Sequence, residues 1–206
     1  MTMTFPDSLK NEYHQMKIEI SWINKKFEIY RQLYYQPETV GLLMISAPSF
    51  FQMYQQQMID DIILSIAKLT DPAKERFGNK HNFSLMSVKE QLPEKEFPQL
   101  YPRLDQLYAM LHGLATKLNV WRNRRIAHNA REVALKQEAV PTIRHEQIRK
   151  CIEALIAIMR HIDRCFDLGD GPYEAFYLTG DGDTIIKLLR MAHDHKQCLI
   201  KKRQNS

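Results

Sequence analysis

The sequence is poor in cysteine and glycine, and each shortage excludes a class of protein. Its cysteines, Cys151, Cys165 and Cys198, form no Cys-x-x-Cys pair and are odd in number. Neither a disulfide framework nor a four-thiolate zinc site is therefore predicted, and the thiols are expected to be reduced and mostly buried. Seven glycines in 206 residues and few alternating segments argue against a β-sandwich, so helix is favoured.

Long apolar runs are also missing. The longest, Ala154 to Met159, is far shorter than the roughly 20 residues that span a bilayer. Residues 1–10 contain no apolar segment typical of a signal peptide. We therefore expect a cytoplasmic protein with no membrane partner. The formal net charge of +5 is mildly basic, which is compatible with a polyanionic partner but far from a histone-like composition.

Apolar residues recur at alternating steps of four and three near the start of the chain, which predicts a long amphipathic helix in a bundle. They are Leu9, Tyr13, Met16, Ile20, Ile23, Phe27, Tyr30 and Tyr34. Pro37 is expected to stop this helix and Pro48 to interrupt the chain again. A short helix from Thr39 to Ser46 is predicted between the two prolines.

Three further long helices are predicted from the stripes Phe51 to Leu69, Leu104 to Leu118 and Ile148 to Phe166. Ser49 is expected to cap the first of these and Thr142 the last. The last is expected to stop at Gly169, a residue type that favours helix C-termini. A short helix from Ser84 to Leu92 and a final helix from Thr184 to about Lys202, capped by Asp183, complete the set.

The predicted fold is all-α: an antiparallel bundle of four long helices with short accessory helices and an extra C-terminal helix. Residues 1–168 are expected to form the bundle. Residues 169–206 are expected to form a turn-rich linker and a helix that packs on the bundle or on a partner. Residues 73–82 lack periodicity and carry net positive charge, which indicates a basic loop.

The end of the third long helix carries the basic segment WRNRRIAHNA, residues 121–130. Continuing the apolar stripe beyond Leu118 leads to Arg122, where the pattern calls for leucine. A guanidinium at such a position costs several kcal/mol unless it is paired or lies at a cleft or interface. Arg122 and His128 would lie about 120° apart on a regular helix. Direct contact between them needs a local distortion, or both must line one wide cleft.

Arg122, Asn123 and His128 resemble the R-x(4–6)-H signature of the HEPN superfamily, in the form where asparagine follows arginine. The segment KLTDPAKERFG, Lys68 to Gly78, is similar to the abortive-infection, AbiU-like branch of that superfamily. The resemblance implies a helical bundle and a metal-independent RNA endonuclease that dimerises to form its active cleft. It implies neither a metal ion nor a cofactor.

The resemblance also assigns roles, and the chemistry suits these residue types. His128 would transfer the proton of a ribose 2′-hydroxyl, and Arg122 would offset charge on the phosphoryl oxygens. Asn123 would orient the side chain of Arg122 or of His128. A 2′,3′-cyclic phosphate product follows. The residues expected to bind RNA are Arg124, Arg125, Arg131, Lys68, Lys74 and Arg76. Where a related branch has a tyrosine used for adenylylation, this chain has Ala130, so that control is not expected.

Several alternatives stay open. The same basic cleft is compatible with a catalytically silent module that binds a partner protein, a nucleotide or RNA, and the basic segment with a solvated helix end. The expected partners are RNA, a second copy of the chain, and an antitoxin or regulatory protein. Asp60 and Asp61 either support the cleft or face outward. His193, His195 and Cys198 are not read as a metal site, because residues two apart on a helix point to different sides.

Overall fold

The computed structural model describes residues 4–74, 81–127, 135, 141–169, 171, 173 and 179–204, with only the backbone given at 126 and 127. Across these residues the chain is helical, apart from turns and an isolated bridge between Lys74 and His81. The prediction of an all-α fold is confirmed.

The described part of the chain contains seven α-helices. They are α1 (Lys10–Tyr34), α2 (Pro37–Ser46), α3 (Pro48–Leu69), α4 (Leu85–Glu90), α5 (Tyr101–Trp121), α6 (His145–Phe166) and α7 (Gly182–Gln204). A 3-10 turn, Asp7–Leu9, precedes α1, and a π-helical segment, Arg122–Ala127, continues α5. The four predicted long helices correspond to α1, α3, α5 and α6, and α7 is the extra C-terminal helix.

Two prolines begin helices. Pro37 is the first residue of α2 and Pro48 the first residue of α3, so the short helix starts two residues earlier than Thr39. Ser49 lies inside α3 and does not cap it. Proline fits the first helical position because its ring fixes φ and the missing N–H has no helical acceptor there. Pro48 therefore begins a helix where an interruption was expected.

The ends of α4 and α6 differ from the predicted ones. The predicted helix from Ser84 to Leu92 is shorter than expected: Ser84 is its cap, since its Oγ accepts from the N–H of Ser87 at 3.3 Å, and the helix ends at Glu90. Thr142 does not cap α6, which follows Arg144 without a side-chain cap. At the other end, the left-handed conformation of Asp167, with φ of 54°, ends α6 before Gly169 is reached.

The apolar stripe of α1 is buried throughout, with every predicted position at most 6% exposed. Helices α5 and α6 pack against each other and run antiparallel. Gln147 near the start of α6 donates to the carbonyl of Leu114 at 3.2 Å, and His161 near its end lies 2.9 Å from the carbonyl of Leu100. Burying each large aliphatic side chain stabilises such a core by about 1.5–3 kcal/mol.

The helices are arranged in two compact units. Unit 1 comprises Met1–Asn24 and Asp60–Phe176, and unit 2 comprises Lys25–Ile59 and Tyr177–Ser206. Unit 1 contains α5, α6 and the basic segment. Within unit 2, α2 packs on α7. The boundary predicted at residue 168 stays a prediction.

The cysteines only partly follow the expectation of burial. Cys151 is buried, Cys165 is half-buried and Cys198 is exposed. Burial raises the pKa of Cys151 to about 12, so this thiol is protonated at neutral pH and packs as a small apolar group. None of the described helices is both long enough and apolar enough to cross a membrane.

Candidate functional site

Helix α5 changes its hydrogen-bonding pattern where the basic segment begins. From Arg122 to Ala127 the backbone is π-helical, a rare geometry that occurs frequently at functional sites. The local distortion therefore lies between the predicted catalytic residues. His128 itself falls outside the described residues, so its position relative to Arg122 stays a prediction.

Arg122 has the compensating partner that its place on the apolar stripe requires. Its Nη1 donates to both carboxylate oxygens of Asp71, at 2.6 and 2.7 Å, and its Nε donates to Oδ1 of Asn123 at 2.9 Å. The side chains of Arg122 and Asp71 are only 20% and 28% exposed. The guanidinium is thus held in one orientation by an anion and an amide, and is not a solvated helix end.

Asp71 is held in turn by the way α3 ends. The N–H of Asp71 donates to the carbonyl of Lys68, and the Thr70 hydroxyl donates to the carbonyl of Ala67. Pro72 cannot continue the helix, because it lacks an N–H. Asn82 closes the turn by donating its side-chain amide to the carbonyl of Pro72 at 2.8 Å. The carboxylate therefore projects from a fixed turn.

A second contact attaches the end of α5 to α3. The indole Nε1 of Trp121 donates to Oδ1 of Asp60 at 3.1 Å. The guanidinium of Arg125 lies 4.8 Å from the ring centroid of Trp121, a cation–π distance. Of the two roles considered for Asp60, the structure favours the supporting one, because the carboxylate fixes the residue that precedes Arg122. Asp61 is exposed.

The remaining predicted RNA-binding residues divide into three groups. Arg124 is half-buried and Arg125 is exposed above Trp121. Lys68 and Lys74 are exposed and lie three residues before and after Asp71. Arg76 and Arg131 fall outside the described residues, and their roles stay predictions. Within the described ranges, no group of three or more His, Cys, Asp and Glu side chains is placed to hold a metal ion.

The residue that sequence reasoning missed is Asp71. This residue enters the sequence-based prediction only within the segment Lys68 to Gly78, although a charge on an apolar stripe requires a counter-charge. The signal was available, since an aspartate fixed by the following proline stands in the same segment that resembles the AbiU-like branch.

Comparison with known protein families gives a match over residues 6–178 to HEPN_AbiU2, described as AbiU2. The matched range includes Asp71, Arg122, Asn123 and His128. No curated protein and no solved structure matches the chain. The family match covers most of the sequence and confirms the resemblance. The chain therefore belongs to the HEPN_AbiU2 family and is an abortive-infection-related HEPN module.

Proposed function

We propose that this protein is a metal-independent RNA endonuclease of the toxin or abortive-infection type, acting in the cytoplasm. The observation that carries the proposal is the orientation of Arg122 by Asp71 and Asn123 at a π-helical turn, in a chain of this family. A guanidinium fixed in this way is preorganised to stabilise negative charge, which is a major contribution to phosphoryl-transfer catalysis.

The proposed reaction is attack by a ribose 2′-oxygen on the adjacent phosphorus. His128 accepts the proton of the 2′-hydroxyl as the new P–O bond forms. The bond from phosphorus to the 5′-oxygen breaks, and that oxygen takes up a proton as it leaves. The products are a 2′,3′-cyclic phosphate and a 5′-hydroxyl. Arg122 offsets the charge that builds up on the non-bridging oxygens.

The contacts of Arg122 indicate how it would meet a phosphate. Among the described residues, Nη1 of Arg122 contacts Asp71 and Nε contacts Asn123. We propose that the N–H groups of Nη2 donate to a phosphoryl oxygen. Because Asp71 competes for the same cation, a bound phosphate must be favoured by further positive charge. Arg124, Arg125, Lys68 and Lys74 are proposed to supply it.

The test is cleavage of mixed RNA in EDTA by the wild type, His128→Ala and Arg122→Gln, with product ends analysed. We expect the wild type to leave 2′,3′-cyclic phosphates and both variants to lose at least about 100-fold in rate, the usual contribution of such groups. His112→Ala is a matched control, because this exposed histidine also lies on α5. Equal cleavage by the wild type and His128→Ala, or none by either, removes the proposal.

A second candidate is a catalytically silent module that docks RNA, a nucleotide or a protein such as an antitoxin. The observation that favours it is the carboxylate of Asp71, which already neutralises Arg122. This candidate predicts binding by the wild type without any cleavage. RNA binding that weakens steeply with salt while the RNA stays intact would support it.

A further inference from the structure

A second basic site lies away from the Arg122 segment, between α5 and α6 in unit 1. It is a pocket of about 370 Å³ whose lining includes Arg103, Arg160 and Arg164 together with His161. None of these four residues was among the predicted RNA-binding residues. The site therefore needs an explanation of its own.

Helix geometry explains why the arginines converge. Arg103 and Leu107 lie one turn apart on α5, and Arg160 and Arg164 lie one turn apart on α6, so each pair shares a helix face. The two helices run antiparallel, and the ring of His161 lies 2.9 Å from the carbonyl of Leu100, which fixes their register. The three cations are thus presented by rigid elements.

Apolar side chains also line the pocket. Leu107 and Ile156 line it and are only 3% and 6% exposed. Cations next to apolar side chains suit a ligand with an anionic group attached to a flat or weakly polar body. A phosphate joined to a ribose and base has this composition.

The charge balance of the pocket is positive. Its acidic lining residue, Glu153, is bound by Arg149 one turn earlier on α6, so its charge is offset from outside the pocket. Arg103 donates to the neutral side chain of Gln106 at 3.2 Å. We infer that this pocket binds phosphoryl groups, either of an RNA backbone or of a free nucleotide.

Arginine is suited to this ligand, because its planar set of donors matches two phosphate oxygens at once. Arg103 and Arg122 are nineteen residues apart, which corresponds to roughly 28 Å along a helix. A single strand would cover that distance with about eight stacked nucleotides at about 3.4 Å each. The RNA form of the inference rests on the proposed function, whereas binding of a free nucleotide does not.

The RNA arm of the test uses the His128→Ala protein, so that cleavage does not destroy the probe. Binding of a labelled single-stranded RNA of about 20 nucleotides is measured by anisotropy at several salt concentrations. Introducing Arg103→Gln and Arg164→Gln into the His128→Ala protein is expected to weaken RNA binding about tenfold. The slope of log affinity against log salt concentration should fall in magnitude by about 1.4, or about 0.7 for each lost phosphate contact. Both arginines are exposed, so the fold should be retained, as thermal unfolding will verify.

The control removes the same charge elsewhere. Lys187→Gln with Arg190→Gln changes two exposed residues of α7 in unit 2 and should leave RNA affinity near its starting value. The second arm titrates inorganic phosphate and AMP into the wild type and the Arg103→Gln, Arg164→Gln protein by calorimetry.

Loss of RNA binding alone supports a backbone site, and loss of phosphate or AMP binding supports a free-nucleotide site. The inference is overturned if the double variant matches its parent in both arms or if the unaltered pocket binds none of the probes. Its RNA form is overturned if the α7 control weakens RNA binding equally. Cleavage by the wild type is measured separately. Pocket-dependent binding without any cleavage would overturn only the proposed function.

Discussion

Arg122 is a charged residue on an otherwise apolar helix face. The apolar stripe of α5 leads to a cation, and the fold supplies Asp71 to balance it. Exposed ion pairs contribute little, but removal of one partner from a less exposed pair leaves an uncompensated charge. The pair is therefore expected to stabilise the fold and to orient the guanidinium.

A double-mutant cycle tests this pair. Asp71→Ala and Arg122→Ala are each expected to lower the free energy of unfolding, with a coupling energy of about 1 kcal/mol between them. Urea denaturation of the two single variants and the double variant gives the coupling. Asp194→Ala, at an exposed position on α7, should change stability very little. Strict additivity of the two substitutions would contradict the ion pair.

Asp163 is the other residue whose role is set by its surroundings. Its carboxylate is 1% exposed and accepts hydrogen bonds from the hydroxyls of Tyr13 at 2.9 Å and Tyr173 at 2.6 Å. Lys17 pairs with it at 2.6 Å. A buried carboxylate is tolerated only when it is satisfied in this way, so the cluster ties α1 and residue 173 to α6.

Alkaline pH should weaken this cluster. Burial, together with the charge of Asp163, raises the pKa of Tyr13 and of Tyr173. A raised pKa in the folded state means that the stabilisation is complete below the unfolded value of about 10 and is lost as pH rises above it. Unfolding free energy should therefore fall above about pH 10.

Comparison with Tyr173→Phe measures the contribution of one hydroxyl. We expect the variant to lose about 1 kcal/mol at neutral pH and to show a shallower decline than the wild type in denaturant titrations at alkaline pH. Tyr54→Phe, at an exposed residue, is the matched control and should follow the wild type. Parallel pH profiles for Tyr173→Phe and the wild type would exclude the cluster as the cause.

At the scale of elements, α7 begins with a cap that the sequence pattern placed two residues too late. Asp181, and not Asp183, caps the helix, since its Oδ1 accepts from the N–H of Thr184 at 3.1 Å. Gln32 in the same unit donates to the other carboxylate oxygen at 2.9 Å and accepts from the N–H of Gly182. A Cβ at Gly182 would lie 2.8 Å from Gln32 Oε1, which explains the glycine.

Removing this cap should destabilise α7. The hydrogen bonds from Gln32 and Thr184 lower the pKa of Asp181, so its stabilisation is present above the unfolded value of about 3.9 and is lost as pH falls through the folded value. Asp181→Ala should cost about 1 kcal/mol at neutral pH. The difference from the wild type should shrink in acid.

Circular dichroism during urea denaturation at neutral and acidic pH measures the effect of Asp181→Ala. Asp181→Asn should keep most of the neutral-pH stability, because asparagine caps helices about as well as aspartate, but should lack the acid-dependent part. Asp183→Ala should have little effect, and a larger loss for that variant would favour Asp183 as the cap.

For the whole molecule, we propose the homodimer that the resemblance implies, with the RNA cleft formed between copies. Sedimentation equilibrium should give twice the mass of the 206-residue chain at the concentrations where RNA is cleaved. Dilution should reduce cleavage per chain once dimers dissociate, because stability and assembly depend on concentration. A monomer with full specific activity would contradict the dimeric cleft.

The four long helices followed from the sequence because helical periodicity is a local property of the backbone. The seam of α1 and the stripe of α6 were both predicted and are buried. Helix ends were less predictable. At α7, Asp181 and Asp183 are both of a residue type that favours helix caps, and the contact of Asp181 with Gln32, distant in sequence, favours Asp181.

The basic segment and its odd arginine were also apparent from the chain alone, as was the family that they indicate. The partner of Arg122 was not apparent, because Asp71 lies 51 positions away and contacts Arg122 only when α3 and α5 come together. The same holds for Asp163 and Tyr13, which are 150 positions apart, and for the arginines of α5 and α6 that line one pocket. Local periodicity fixes which face of a helix is buried, whereas the pairing of charges depends on which faces the folded chain brings into contact.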